Sequence, residues 1–91
     1  MPRDNDVGPV AGRTATVRYW AGARAAAGVE ADEVRDCATV ADAVAAVDAL
    51  HPGLAAVTAV STLLVDGRAT QRDQPLPDRS VLEVLPPFAG G

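Results

Sequence analysis

Apolar and polar residues alternate through two well-separated stretches of the chain, 14–20 and 81–85, and recur at helical spacing through a third, 39–50. In the first stretch Ala15, Val17 and Tyr19 fall on one face and Thr16, Arg18 and Trp20 on the other, which predicts a half-buried strand. Trp20 is the odd member of the more polar face. Two roles fit it, burial under a neighbouring loop or contact with a partner. In the last stretch Leu82 and Val84 alternate with Glu83 and Leu85, a second half-buried strand. Between them Val40, Ala43, Val44, Val47 and Leu50 form one apolar stripe, and the helix they predict is well punctuated. Thr39 is a good N-cap, Asp42 stands three residues on as in a capping box, and His51-Pro52-Gly53 ends the run.

The remaining segments are shorter. Ala21 to Gly28 is alanine-rich and stops at a glycine, which predicts a turn of helix. Val29 to Cys37 alternates weakly and carries Glu30, Asp32, Glu33 and Asp36. We read it as an edge strand, paired to the first strand as a hairpin. Its acidic residues have no histidine among them and no ligand spacing, so a solvated edge that discourages aggregation is expected there, not a metal site. Leu54 to Ser61 fits either a short helix or an approach to the next strand. Thr62–Val65, Asp66-Gly67 and Arg68–Gln71 read as strand, tight turn and strand. Asp73 to Asp78 is turn chemistry around one apolar residue, Leu76. Strands gathered about one main helix predict an α+β fold, a mixed sheet of about five strands with the helix across one face.

Composition narrows the function. Ninety-one residues suit one small domain, and 48% hydrophobic with 22% charged content is globular. Three aromatic residues leave the core to valine and leucine. A formal charge of −4 argues against a nucleic-acid partner and suits a basic surface on another protein. One cysteine, Cys37, excludes an internal disulfide and fits a reducing cytoplasm. No apolar run is long enough for a membrane span. All eight basic residues are arginine, so the chain offers no lysine amine for an isopeptide bond. His51, the only histidine, stands at a helix C-terminus with no serine, cysteine or carboxylate arrangement that the sequence places around it, and we expect it to cap.

The chemistry is expected in the last residues. Pro86 and Pro87 stop the final strand, because neither can donate to a ladder. Phe88 is a large apolar side chain on a segment with no means of burying itself, and Ala89, Gly90 and Gly91 taper to nothing. Such an arm enters a narrow channel in a partner where larger side chains clash. The organisation expected is therefore a disordered lead at 1–13, a folded domain at 14–85 and a free tail at 86–91. Trp20 and Leu85 should share the face away from the helix, with Phe88 continuing from them. These three, with Pro86 and Pro87 stiffening the tail, form the expected docking surface for a partner.

Three segments resemble a known family. Val17-Arg-Tyr-Trp-Ala-Gly-Ala-Arg24, the helix start Thr39-Val-Ala-Asp-Ala-Val, and Pro75-Leu-Pro-Asp followed by Val84-Leu-Pro-Pro-Phe-Ala-Gly-Gly look like the ubiquitin-like sulfur carriers of the MoaD/ThiS family, most of all the small subunit of molybdopterin synthase. The resemblance spans about residues 14–91. It implies a β-grasp fold with the first and last strands adjacent in the middle of the sheet. It also implies a cycle in which an E1-like adenylyltransferase uses ATP to adenylate the Gly91 carboxylate. A sulfur donor, such as a cysteine desulfurase or a rhodanese-type protein, then converts it to a thiocarboxylate. Gly90 and Ala89 thread the tail into the large subunit of molybdopterin synthase, which uses the sulfur on cyclic pyranopterin monophosphate to build the dithiolene. No bound cofactor and no metal are implied, and the complex is expected to hold two copies of each subunit. Related carriers serve thiamine, cysteine and tungsten-cofactor pathways. A ubiquitin-like interaction module and a lysine-linked modifier are the alternatives without sulfur chemistry.

Overall fold

The computed structural model describes residues 12–87. Most of the expected lead, and tail residues Phe88, Ala89, Gly90 and Gly91, lie outside the described residues. Five strands form one mixed sheet: β1 (Thr14–Tyr19), β2 (Ala31–Arg35), β3 (Thr62–Val65), β4 (Arg68–Thr70) and β5 (Ser80–Leu85). Their order across the sheet is β2-β1-β5-β3-β4. The first and last strands are thus central neighbours, and they run parallel, with Val17 beside Leu82 and Tyr19 beside Val84. Every other pairing is antiparallel.

Alternation decides which side is buried. Ala15, Val17 and Tyr19 of β1 and Leu82 and Val84 of β5 point into the core with almost no exposed surface. Against them lies α2 (Val40–Leu50), whose Val40, Ala43, Val44 and Val47 are buried. The helix starts where its sequence says. Thr39 accepts from the Asp42 amide at 3.2 Å, and Asp42 accepts from the Thr39 and Ala38 amides at 3.1 and 3.0 Å. Three of the orphan donors around the first turn are thereby satisfied. Leu76, the apolar residue of the long turn, is buried at the start of this helix, where Pro75 bridges to Thr39.

Two further helices are short. The alanine-rich connection forms α1 (Ala21–Ala27), a two-turn helix and not a single turn, closed by Gly28 at φ 78°. The segment left open between helix and strand is α3 (Leu54–Thr58), which buries Leu54 and Thr58 one turn apart. The β3–β4 hairpin turns through Asp66 and Gly67 at φ 49° and 87°. Both central residues are left-handed, the turn whose twist matches the strands it joins. β1 stops one residue earlier than the alternation suggests, because Trp20 becomes the N-cap of α1. β2 is likewise shorter than 29–37.

Candidate functional site: the base of the tail

The last described residues, Pro86 and Pro87, leave the middle of the sheet. Leu85 pairs with Thr62 of β3 on one side. On the other side the Trp20 amide donates to the Val84 carbonyl at 3.2 Å. The backbone leading into Pro86 and Pro87 is therefore held on both flanks.

Trp20 stands beside that base and is 39% exposed. Its indole Nε1 donates to Glu83 Oε2 at 3.1 Å, and the Arg18 guanidinium lies over its ring at 5.6 Å from the centroid. Arg18 and Glu83 are themselves cross-strand partners. The ring is thus held open to solvent between a cation and a carboxylate. Alternation puts Leu85, Val81 and, by pairing with Glu83, Leu64 on the same outer face, all three half-buried. Of the two roles open to Trp20, burial under a loop is the one its exposure disfavours. The structure brings Trp20, Leu85, Pro86 and Pro87 together; Phe88, Ala89, Gly90 and Gly91 lie outside the described residues.

Where β3 and β4 diverge, at the same end of the sheet, lies an open polar hollow that includes Ser61, Thr62, Gln71 and Arg72. Arg72, the one cation in its lining, donates to the Thr58 carbonyl at 2.6 Å. Its guanidinium is already committed to the fold. Among the described residues no group of three or more His, Cys, Asp or Glu could hold a metal ion. No helix of the described residues is long and apolar enough to cross a membrane.

Sequence reasoning missed a cluster on the opposite, inner face. Asp32 was expected on a solvated edge. It pairs with Val17 and points inward, accepting a hydrogen bond from the Tyr19 hydroxyl at 2.8 Å and lying 2.5 Å from His51 Nε2. The Tyr19 and His51 rings meet edge to face, with centroids 5.9 Å apart. The expected cap is therefore corrected in part. His51 is the C-cap residue of α2 through its backbone, but its ring serves Asp32. Burial, then the hydrogen bond to Asp32, then the charges of Asp32 and Asp48 push the Tyr19 hydroxyl far above its ordinary pKa. The signal available in sequence was slight: an aspartate two residues before Val34, in phase with the inward face.

A five-stranded mixed sheet with parallel central first and last strands and helices on one face is the β-grasp, ubiquitin-like class. The sequence profile of the ThiS family matches residues 17–91, and the chain belongs to that family. Solved structures agree. A Pyrococcus furiosus chain assigned as molybdopterin converting factor subunit 1 is 27% identical with a TM-score of 0.74, over 84% of this chain and 99% of that one. SAMP1 from Haloferax volcanii is 25% identical with a TM-score of 0.78, over 86% of this chain and 99% of that one. A subunit of the Helicobacter pylori molybdopterin-converting factor, solved in a complex of subunits 1 and 2, shares the fold at 20% identity and a TM-score of 0.65, over 86% of this chain and 99% of that one. Curated proteins give no match. Family and neighbours together describe ubiquitin-like sulfur carriers and modifiers.

Proposed function

We propose that this chain is a sulfur carrier whose Gly91 carboxylate is the site of chemistry, serving molybdopterin synthesis. The observation that carries the reading is the family match, which runs through the last residue, Gly91. The base of the tail fits it: backbone pinned on both sides, two prolines, and an open tryptophan beside them. A carboxylate is a poor electrophile. In the proposed cycle its oxygen attacks the α-phosphorus of ATP on an E1-like adenylyltransferase, and pyrophosphate leaves. The outer sulfur of a persulfide on a desulfurase or rhodanese-type donor then displaces AMP from the carbonyl to give an acyl disulfide, and a thiol attacks the donor's sulfur, releasing the thiocarboxylate and forming a disulfide. General acids and bases come from the partners, since the described residues at the tail's base form no such constellation. The Pyrococcus and Helicobacter neighbours support the molybdopterin pathway, and the two-subunit Helicobacter complex supports a large-subunit partner. In this reading that partner docks on Trp20, Leu85, Pro86, Pro87 and Phe88.

SAMP1, a small archaeal modifier protein by name, supports a second reading, in which this chain is a modifier joined through Gly91 to other proteins. Mass spectrometry of the protein purified from its own host separates the two. Exchange of one oxygen for sulfur supports the carrier, and amide conjugates support the modifier. Deleting Gly91, or adding one residue after it, should abolish sulfur transfer and leave the fold intact; full activity in either variant refutes the site. Phe88→Ala should weaken partner binding by about 2 kcal/mol.

A further inference from the structure

Resting on the reading that Gly91 becomes an activated acyl group, we infer that this fold is inert toward its own activated tail, so that the acceptor must lie on another molecule and the chain cannot link to copies of itself through side chains. An acyl adenylate or thioester is intercepted by amines, thiolates, imidazoles and activated hydroxyls. Among the side chains each class is absent, buried or occupied here. The sequence has no lysine; its eight basic residues are arginines, which stay protonated and do not attack carbonyls. The single cysteine, Cys37, is 7% exposed, and its Sγ donates to the Arg35 carbonyl at 3.4 Å. Burial first, then the charges of Asp42 and Asp36, hold its thiol above the ordinary range and away from thiolate.

The other nucleophiles are equally unavailable. The only tyrosine, Tyr19, is buried with its hydroxyl donated to Asp32. The only histidine, His51, has Nε2 against the same carboxylate and a side chain 18% exposed. Both serines give their hydroxyl hydrogens to backbone carbonyls, Ser61 to Val57 and Ser80 to Pro77, each at 2.7 Å. Among the described residues the aliphatic hydroxyl held by a carboxylate, as a catalytic serine's is held by its base, is that of Thr58 on Asp48, and Thr58 is 1% exposed. The fold thus does for cysteine and tyrosine what composition does for lysine.

The test needs no partner enzyme. A Gly91 thioester of a small thiol is prepared by intein cleavage, the α-amine is acetylated, and the folded protein is held at about pH 8.5. The inference expects two masses alone, thioester and hydrolysed acid. In urea, Cys37 becomes available: its thiolate attacks the Gly91 carbonyl, the small thiol leaves, and the Cys37-linked product should rise at least tenfold. Arg68→Lys, an exposed position on β4, should give amide-linked species at least tenfold above wild type in the folded state. A folded wild-type monomer one water lighter than the acid, or a covalent dimer, overturns the inference. So does Cys37 capture that is as fast in buffer as in urea, or Arg68→Lys behaving as wild type. Because the thioester is made chemically, these outcomes do not depend on whether Gly91 is activated in the cell.

Discussion

The two faces of the central strand pair are built from residues one position apart, yet they meet different surroundings. On the inner face Val17, Leu82 and Val84 have no exposed surface, and even the polar atoms of Tyr19 and Asp32 find partners. On the outer face Trp20 remains open, Leu85, Val81 and Leu64 are half-covered, and the polar contacts run along the surface from Arg18 through Trp20 to Glu83. The difference separates the two jobs of one sheet. The inner face carries stability, because buried apolar area and satisfied polar groups are what unfolding loses. Under the proposed function the outer face serves recognition, because a rigid aromatic beside half-covered aliphatics costs little in the free protein and loses little freedom on docking.

The largest expected effect breaks the inner face. Leu82→Ala should destabilise the domain by about 3 kcal/mol in urea unfolding, the usual scale for a leucine removed from a sealed core. Partner affinity of the molecules that remain folded should not change. Trp20→Ala should show the reverse pattern. We expect a loss of about 2 kcal/mol in partner binding by titration and a stability loss under about 1 kcal/mol. A collapsed melt for this variant would make Trp20 a core residue and erase the contrast between the faces.

A smaller effect sharpens the inner face. Tyr19→Phe removes a donor to a half-buried carboxylate and should cost about 1.5 kcal/mol. It should also flatten the alkaline limb of the stability profile. In the fold Tyr19 keeps its proton beyond the pH at which unfolded tyrosines ionise, about 10. Above that pH the native state binds more protons than the unfolded one, so wild-type stability falls as pH rises. Cys37 adds to the same slope from about pH 9. Urea midpoints measured from pH 8 to 11 should fall less steeply in the phenylalanine variant, and equal slopes would remove the tyrosine from the account. The smallest effect lies outside: Glu83→Gln should change stability by less than about 0.5 kcal/mol. It should nonetheless shift the emission of the only tryptophan, as the indole loses its charged acceptor.

Much of this contrast was legible in the chain. Period-two alternation placed Ala15, Val17, Tyr19, Leu82 and Val84 inward and Trp20 and Leu85 outward, and all seven stand as that pattern requires. Asp66-Gly67 and the Thr39–Asp42 box located a turn and a helix start because their signals are local. What escaped depends on partners distant in sequence. Asp32 is in phase with the inner face, but a charge there is tolerable only because Tyr19 and His51 arrive from β1 and the end of α2. The α3 helix spans five residues, too few for a helical period to declare itself. Trp20 ended β1 early by serving as an N-cap without a side-chain capping bond, a role its sequence does not advertise.

The parallel pairing of β1 with β5 also sets an order of events during synthesis. β5 is the last strand made, and it lies between the β1–β2 hairpin and the β3–β4 hairpin, which have no ladder to each other without it. Closing the sheet joins the two ends of the sequence, a slow, long-range step whose loop-closure entropy must be met before any contact rewards it. Until residues 80–85 have been made, the two hairpins have no strand to share, and the sheet cannot close.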